Sequence, residues 1–393
     1  PWQRKTASAA TAFLAYGTAA QFVPTSFLPF VAPLMMLGLA AFASRRAQGQ
    51  TSTPSAPALA APALGMGALI AFLWAAGPLT DWLNGVMDAV AGNPLLADHL
   101  PSAALTLRQL AAPAALIAGA VWLMRAPMPR LAGRIGGAMM VAILVIAVHI
   151  LYRHGFAAVA GGDFVATGMM QRAVWAALLL GAGFAGFKAS ARYQPFGRML
   201  ALGLAVATTL YLGFFSLFLH NPLWNGQAVG ALPLLNALLP TYGLLFAALW
   251  LIERSAATLL PPTINAPLPR ILDVARMGAI ILFAYATLAQ AFHGSRFDVA
   301  ALGEGENILR SILAIALAIG FLLWGIRRHR RDWRIASLVL MLGAVGKVFI
   351  FDASGLTGLT RIASFVALGF SLIGIGWLYS RQLRSTPQEA QKD

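Results

Sequence analysis

The chain has 393 residues, 59% of them apolar and only 10% charged. A soluble domain carries about 25% charged residues, so a mean hydropathy of +0.74 excludes a water-soluble globule with one anchor. The absence of cysteine excludes disulfides, thiolate metal sites and cysteine nucleophiles, and the net charge of +15 suits short basic loops at a membrane better than nucleic-acid binding.

Apolar runs of about 20 residues recur along the chain. They predict α-helices, because a chain in hydrocarbon must satisfy its own backbone hydrogen bonds. A barrel would show alternating segments of ~10 residues. The predicted spans are 7–23, 27–44, 60–78, 107–124, 134–152, 167–187, 197–219, 229–252, 271–292, 307–326, 333–351 and 359–380. The expected fold is therefore all-α and polytopic, with about 12 spans. Residues 51–62, T-S-T-P-S-A-P-A-L-A-A-P, read as a flexible to semi-extended linker. Residues 79–100 are too polar to span and read as amphipathic or re-entrant structure on one face. The eighth span carries Pro233, Asn236 and Pro240. That pattern fits either a broken helix lining a polar cavity or packing against neighbours. Residues 259–269 read as a second proline-rich linker and 385–393 as a disordered tail. The chain starts at Pro1 without Met or a signal-type segment, as expected for the C-terminal part of a longer protein or a processed one.

Orientation follows from the Lys/Arg bias. Placing the N-terminus inside puts 21 of the 28 Lys and Arg at inner segments, the strongest being R-R-H-R-R-D-W-R at 327–334. Both ends are then expected in the cytoplasm of a bacterial inner membrane. The acidic residues run the other way, 8 of 13 falling outside, as do 5 of the 6 histidines. A polar site is thus expected to face outward.

The chain also repeats itself. A-P-M-P-R at 126–130 matches A-P-L-P-R at 266–270. Each opens a span ending near His-Gly, at His154 and His293, and each is followed by a span opening with Arg, at Arg172 and Arg310. W-L-I-E-R at 250–254 and W-L-Y-S-R at 377–381 close the two blocks. W-L-M-R at 122–125 suggests an earlier, weaker copy. The expected domains are four-helix blocks at 1–125, 126–254 and 266–384. An even span count makes them parallel repeats.

Residues 346–361, G-K-V-F-I-F-D-A-S-G-L-T-G-L-T-R, hold the most informative charges. Lys347 sits inside an apolar segment, Asp352 at its end and Arg361 at the start of the next. A lysine there costs about 2.5–3.5 kcal/mol on insertion scales. Asp352 lies ~7.5 Å further along a helix. The three are expected to form one polar cluster, either an anion or proton site or an ion-paired cap. His149 and His154 are five apart and do not share a face as metal ligands would, so packing or hydrogen bonding is the better reading. His220-Asn221-Pro222-Leu223-Trp224-Asn225-Gly226 reads as a turn with an interfacial Trp or as a re-entrant binding loop. Gly181, Gly183 and Gly186, with the pairs Gly343/Gly346 and Gly374/Gly376, suggest close helix contacts. No Walker A, H-E-x-x-H or G-x-S-x-G pattern occurs, and no cofactor or metal is expected.

Three stretches carry a resemblance. They are N-P-L-W-N-G-Q-A-V-G-A-L-P-L-L-N-A-L-L-P-T-Y-G at 221–243, F-H-G at 292–294 with Glu306 and Arg310, and K-V-F-I-F-D-A-S-G-L-T-G-L-T-R-I-A-S-F-V-A-L-G at 347–369 followed by G-I-G-W-L-Y. This C-terminal region resembles a large bacterial family of polytopic membrane proteins of unknown function. The resemblance implies a fold class and longer relatives with further upstream spans, and it implies no activity. One departure stands out: an acidic and a basic residue are expected before F-H-G, where this chain has Leu288-Ala-Gln-Ala.

The function expected first is binding or transport of an envelope lipid, glycan or anionic solute through an outward polar cavity. Its candidate residues are Lys347, Asp352, Arg361, His293, Glu306, Arg310, His220, Asn225 and Asn236. The alternatives are a scaffold subunit of a larger membrane complex and a membrane transferase with an outward site. The expected partners are membrane lipids and other membrane subunits, not nucleic acid.

Overall fold

The computed structural model describes residues 2–49, 55–125, 130–233, 235–297 and 303–347, with isolated helical positions between 366 and 377. The described residues are helical and contain no strand. Eight helical stretches among them are long and apolar enough to cross a membrane, from Thr25–Arg45 to Glu304–Arg327. The chain divides into two compact units, Pro1–Gln171 and Arg172–Asp393. The division falls inside the block expected at 126–254.

The first unit contains α1 (Trp2–Phe22), α2 (Leu28–Gly49), α3 (Ser55–Val90), α4 (Ala103–Thr106), a π turn at Leu107–Ala111, α5 (Ala112–Leu123), α6 (Arg130–Ala160) and the start of α7 (Phe164–Ala189). Its core joins Met36, Ala40 and Ala43 of α2 to Ala60, Leu64 and Ala71 of α3 and to Ile117 and Ala120 of α5. Small residues let these backbones approach closely, since lipid supplies no hydrophobic force between helices. A Cβ on Gly67 would lie 2.5 Å from Met36 Cγ, so a larger residue there would force the Met36 side chain to move.

Two expectations change here. Helix α3 begins at Ser55, so the described part of the 51–62 linker is helical. Pro57 falls in its first turn, where a missing N–H costs nothing. Helix α3 also runs without a break to Val90. Residues 79–90 are thus the amphipathic continuation of a span and not a separate surface element. Asp81, Asn84 and Asp88 are exposed while Gly85 and Ala89 are buried, a helical spacing that puts the polar groups on one face.

The second unit holds the rest of α7, then α8 (Phe196–Tyr211), a π segment at Leu212–Leu219, α9 (Leu238–Leu259), α10 (Pro262–Asn265), α11 (Leu268–His293), α12 (Glu304–Arg327) and α13 (Arg331–Lys347). The crossing of α7 and α8 is the tightest: a Cβ on Gly197 would lie 2.5 Å from the carbonyl oxygen of Gly186. Gly183 faces Leu251 and Leu204, while added Cβ atoms at Gly181, Gly343 and Gly346 meet nothing within 4 Å. The close-contact reading therefore holds for Gly183 and Gly186 and not for those three. Met277, Phe321 and Trp333 form a core where α11, α12 and α13 meet.

The eighth predicted span is interrupted. Residues 220–237 are irregular apart from the undescribed position 234, and helix begins only at Leu238. Pro233 and Asn236 lie in the irregular part and Pro240 in the first helical turn, where proline is tolerated. Residues 259–269 contain the short helix α10.

Candidate functional site

A buried polar cluster of the second unit lies where α11 ends and α12 begins. Helix α11 stops at His293 because Gly294, at φ +71°, leaves the helical region. Helix α12 then presents Glu306 and Arg310 one turn apart, so both point to the same side. His293 Nε2 lies 2.6 Å from Glu306 Oε2, and the other carboxylate oxygen accepts from Arg310 Nη2 at 2.7 Å and Nε at 3.0 Å. With Glu306 ionised, the imidazole donates from Nε2. Glu306 is 1% exposed. A buried charge persists only with partners of this kind.

Lys347 reaches this cluster's helix from the end of α13. Its Nζ donates to Ser311 Oγ at 2.7 Å and to the Asn307 carbonyl at 3.2 Å. Ser311 is one residue past Arg310, so Lys347 and the Glu306–Arg310 pair dock on one end of α12. The expected partners Asp352 and Arg361 lie outside the described residues.

A second layer comes from the irregular stretch before α9. Asn236 Nδ2 donates to Gln290 Oε1, and its Oδ1 accepts from the Leu238 backbone at 2.8 Å, which caps α9. Gln290 Nε2 donates in turn to the carbonyls of Gly230 at 2.8 Å and Leu232 at 3.2 Å. The backbone N–H groups of Val229 and Gly230 bond to Ser295. These bonds strap the loop to the end of α11, close in sequence to His293. They also satisfy backbone groups that no helix serves, as a non-helical segment at membrane depth requires.

The start of the same loop packs against α7. Arg172 Nε donates to Ser216 Oγ and Nη2 to Gln227 Oε1, both at 3.0 Å. Asn225 Nδ2 donates to His220 Nδ1 at 3.3 Å, and Asn221 Oδ1 accepts from Leu223 N at 3.0 Å. Burial pushes the His220 imidazole down to about 4, and the Arg172 charge pushes the same way. His220 is therefore neutral at pH 7 and acts as a hydrogen-bond acceptor, not a cation.

The opposite end of these helices carries a different set. Asp273 accepts from Arg276 at 3.0 Å and lies 3.5 Å from Arg330; Arg276 also meets Glu253 at 2.6 Å, and Arg270 meets Asp332 at 3.3 Å. Three carboxylates and three guanidinium groups from α9, α11, α13 and the turn before α13 thus pair among themselves.

In the first unit, the polar groups gather near the end of α6. Trp82 Nε1 donates to His149 Nδ1 at 3.1 Å, and His154 Nε2 meets the Pro101 carbonyl at 2.8 Å. Arg153 donates to the Leu95 carbonyl at 3.1 Å and to Gln171 Oε1. The histidines serve hydrogen bonding, as their spacing suggested. Among the described residues no three His, Asp or Glu side chains are arranged to hold a metal.

Over residues 2–382 the sequence matches the family described as "Predicted membrane protein (DUF2339)". The chain belongs to this family. No curated protein and no solved structure matches it. The DUF2339 match extends well past the C-terminal region in which the motifs carry the resemblance.

Of the candidate residues, the structure brings His293, Glu306 and Arg310 into direct contact and sets Lys347 on the same helix end. Asn236 joins them only through Gln290 on α11. His220 and Asn225 form a separate contact further along the loop. Sequence reasoning missed Gln290, Ser311, Gln227 and Arg172 as partners. Arg172 had a signal, since it opens its span as Arg310 opens its own. Gln290 stands in this DUF2339 chain where the charged residues before F-H-G were expected, and its neutral amide bonds the loop instead.

Proposed function

We propose that this DUF2339 chain binds or carries an envelope lipid, glycan or other anionic solute at the end of the second unit marked by Glu306. The observation that carries the reading is that Arg310 pairs with a carboxylate that is 1% exposed while Lys347 docks on Asn307 and Ser311 of the same end of α12. Ionisable groups at membrane depth are expensive and mark substrate or ion paths by default. With Asp352 and Arg361, which the sequence places beside Lys347, the set holds three basic groups against two carboxylates. An anion would balance it.

The finer topology belongs to the same proposal. Twelve spans include α1, α9, α13 and a last helix beyond it, in three parallel four-helix blocks. The basic loops face the cytoplasm of a bacterial inner membrane, with both ends of this chain inside, so the Glu306 end faces outward. The Lys/Arg bias supports this orientation.

A scaffold role is the second reading. It is favoured by the charges around Asp273, which pair with one another and tie helix ends together.

The test is a thermal-shift titration of the full purified chain with inorganic phosphate and glycerol 3-phosphate. Stabilisation of the parent chain, lost in Lys347→Met at unchanged helicity, supports the binding site. If neither probe shifts the parent chain, and a second membrane subunit co-purifies in fixed ratio, the scaffold reading replaces it.

A further inference from the structure

The first unit contains a cavity of about 560 Å³ between α1, α2 and α3. Its wall runs from Ser8 to Tyr16 on α1, from Ala32 to Ala43 on α2 and from Ala60 to Ile70 on α3. At 1.5 Å per residue these stretches are about 12–16 Å long. That is half of a hydrocarbon core of about 30 Å, so the groove is one leaflet deep.

Helices α1 and α3 run antiparallel to α2 in the chain, so Ser8, Ala43 and Ala60 mark one end of the groove. That end is basic. Arg4 lies four residues before Ser8, and Lys5 seven before Ala12, so both share the helix face that lines the groove. Arg45 follows Phe42 and Ala43 on α2. All three cations are exposed.

The wall itself is apolar in effect. The Ser8 and Thr11 hydroxyls spend their protons on the carbonyls of Lys5 and Ala7, at 2.9 and 2.8 Å. Tyr16 accepts from Trp74 Nε1 at 2.8 Å, and this pair stands at the far end from the cations. The remaining lining is Ala, Met, Leu, Phe, Gly and Ile. A neighbouring helix would be about 10 Å across. A single hydrocarbon chain is narrower and, toward the basic end, meets only hydroxyls that already donate to the backbone.

We infer that this groove holds an acyl chain of an anionic glycerophospholipid from the leaflet at the N-terminal end of α1, with its phosphate held by Arg4, Lys5 and Arg45. Naming that leaflet cytoplasmic rests on the orientation proposed above; the groove and its charge do not.

The experiment reconstitutes the full chain in nanodiscs of equal phosphatidylglycerol and phosphatidylcholine and counts retained lipids by native mass spectrometry. The parent chain is expected to keep one phospholipid, with phosphatidylglycerol favoured about tenfold or more, since each basic residue at an anionic surface contributes about fivefold. Ala12→Trp, which fills the groove, should lose that lipid whatever its headgroup. The triple variant Arg4→Gln, Lys5→Gln, Arg45→Gln changes only exposed side chains and should keep the lipid but lose the preference. Asp332→Asn, a charge change in the second unit outside both proposed sites, should change neither. A parent chain that retains no lipid or shows no preference, or an Ala12→Trp chain of normal helicity that retains the same lipid, would overturn the inference. Should Ala12→Trp fail to fold, an undiminished preference in the triple variant would overturn it equally.

Discussion

The two ends of the α11–α13 bundle solve the same problem in opposite ways. At the Asp273 end the shared carboxylate is 6% exposed, but cations of the set reach water: the Arg330 side chain is 43% exposed and that of Arg270, paired with Asp332, 74%. At the Glu306 end the shared carboxylate is 1% exposed and the histidine beside it 10%. Pairing near water is worth little, because solvent screens it. Burying a carboxylate is costly, and its partners must repay the lost hydration. The first arrangement suits positioning of helix ends. The second is kept at a cost that apolar packing would avoid, and this is why the Glu306 end is the better candidate for function.

The sharpest way to break this comparison is Glu306→Gln. It leaves Arg310 and His293 facing a neutral amide, and breaking one partner of a buried pair costs about 3–5 kcal/mol. A thermal-denaturation midpoint in detergent, falling by many degrees, checks it. An unchanged midpoint would mean that water reaches this end as freely as the other.

Asp273→Asn should cost less, about 1–2 kcal/mol, although the Asp273 side chain is only 6% exposed. Arg276 keeps Glu253 at 2.6 Å, and Arg330 can turn to solvent. A loss equal to that of Glu306→Gln would erase the distinction between the ends.

Acid should act through the loop that flanks the Glu306 end. The folded-state value of His220 lies below its ordinary value of 6.5, so the unfolded chain binds the extra proton first. This contribution to stability is complete above pH 6.5 and is lost as pH falls through about 4. Denaturation midpoints measured from pH 7 down to pH 4 should decline, and His220→Asn should flatten part of that decline. A variant whose decline matches the parent's would remove His220 from the account.

Asp332→Asn should give the smallest change, below about 1 kcal/mol, since its partner Arg270 is the most exposed of the set. Chemical-denaturation curves of variant and parent should nearly overlay.

Much of the architecture was legible before any coordinates. Nine of the first ten predicted spans fall on described helices, and in the eighth, at 229–252, Pro233 with Asn236 marked where helix fails. The segment 79–90 was misread because three polar residues in a short stretch lower its hydropathy. Their spacing is nevertheless helical, and a helix leaving a membrane continues wherever one face stays buried. The linker reading of 51–62 gave proline more weight than the alanines around it, though the first helical turn tolerates proline. At the candidate site, Glu306 and Arg310 were readable as an i, i+4 pair, and Lys347 was conspicuous as a charge in an apolar run. Its contact with Ser311 was not readable, because nothing in periodicity links residues 36 apart.

What the sequence alone determined is the solvent and the secondary structure: an apolar chain with few charges belongs in lipid, and lipid permits it helices. The apolar spacing placed those helices, and the charged residues marked their ends. Only the tertiary structure decided which ends meet. Gln290 bonds Asn236 across 54 residues, Arg172 bonds Gln227 across 55, and Lys347 settles on α12. Small residues set how closely the helices approach, and so which polar side chains come within a hydrogen bond of one another. That distance depends on packing in three dimensions, which a one-dimensional pattern does not encode.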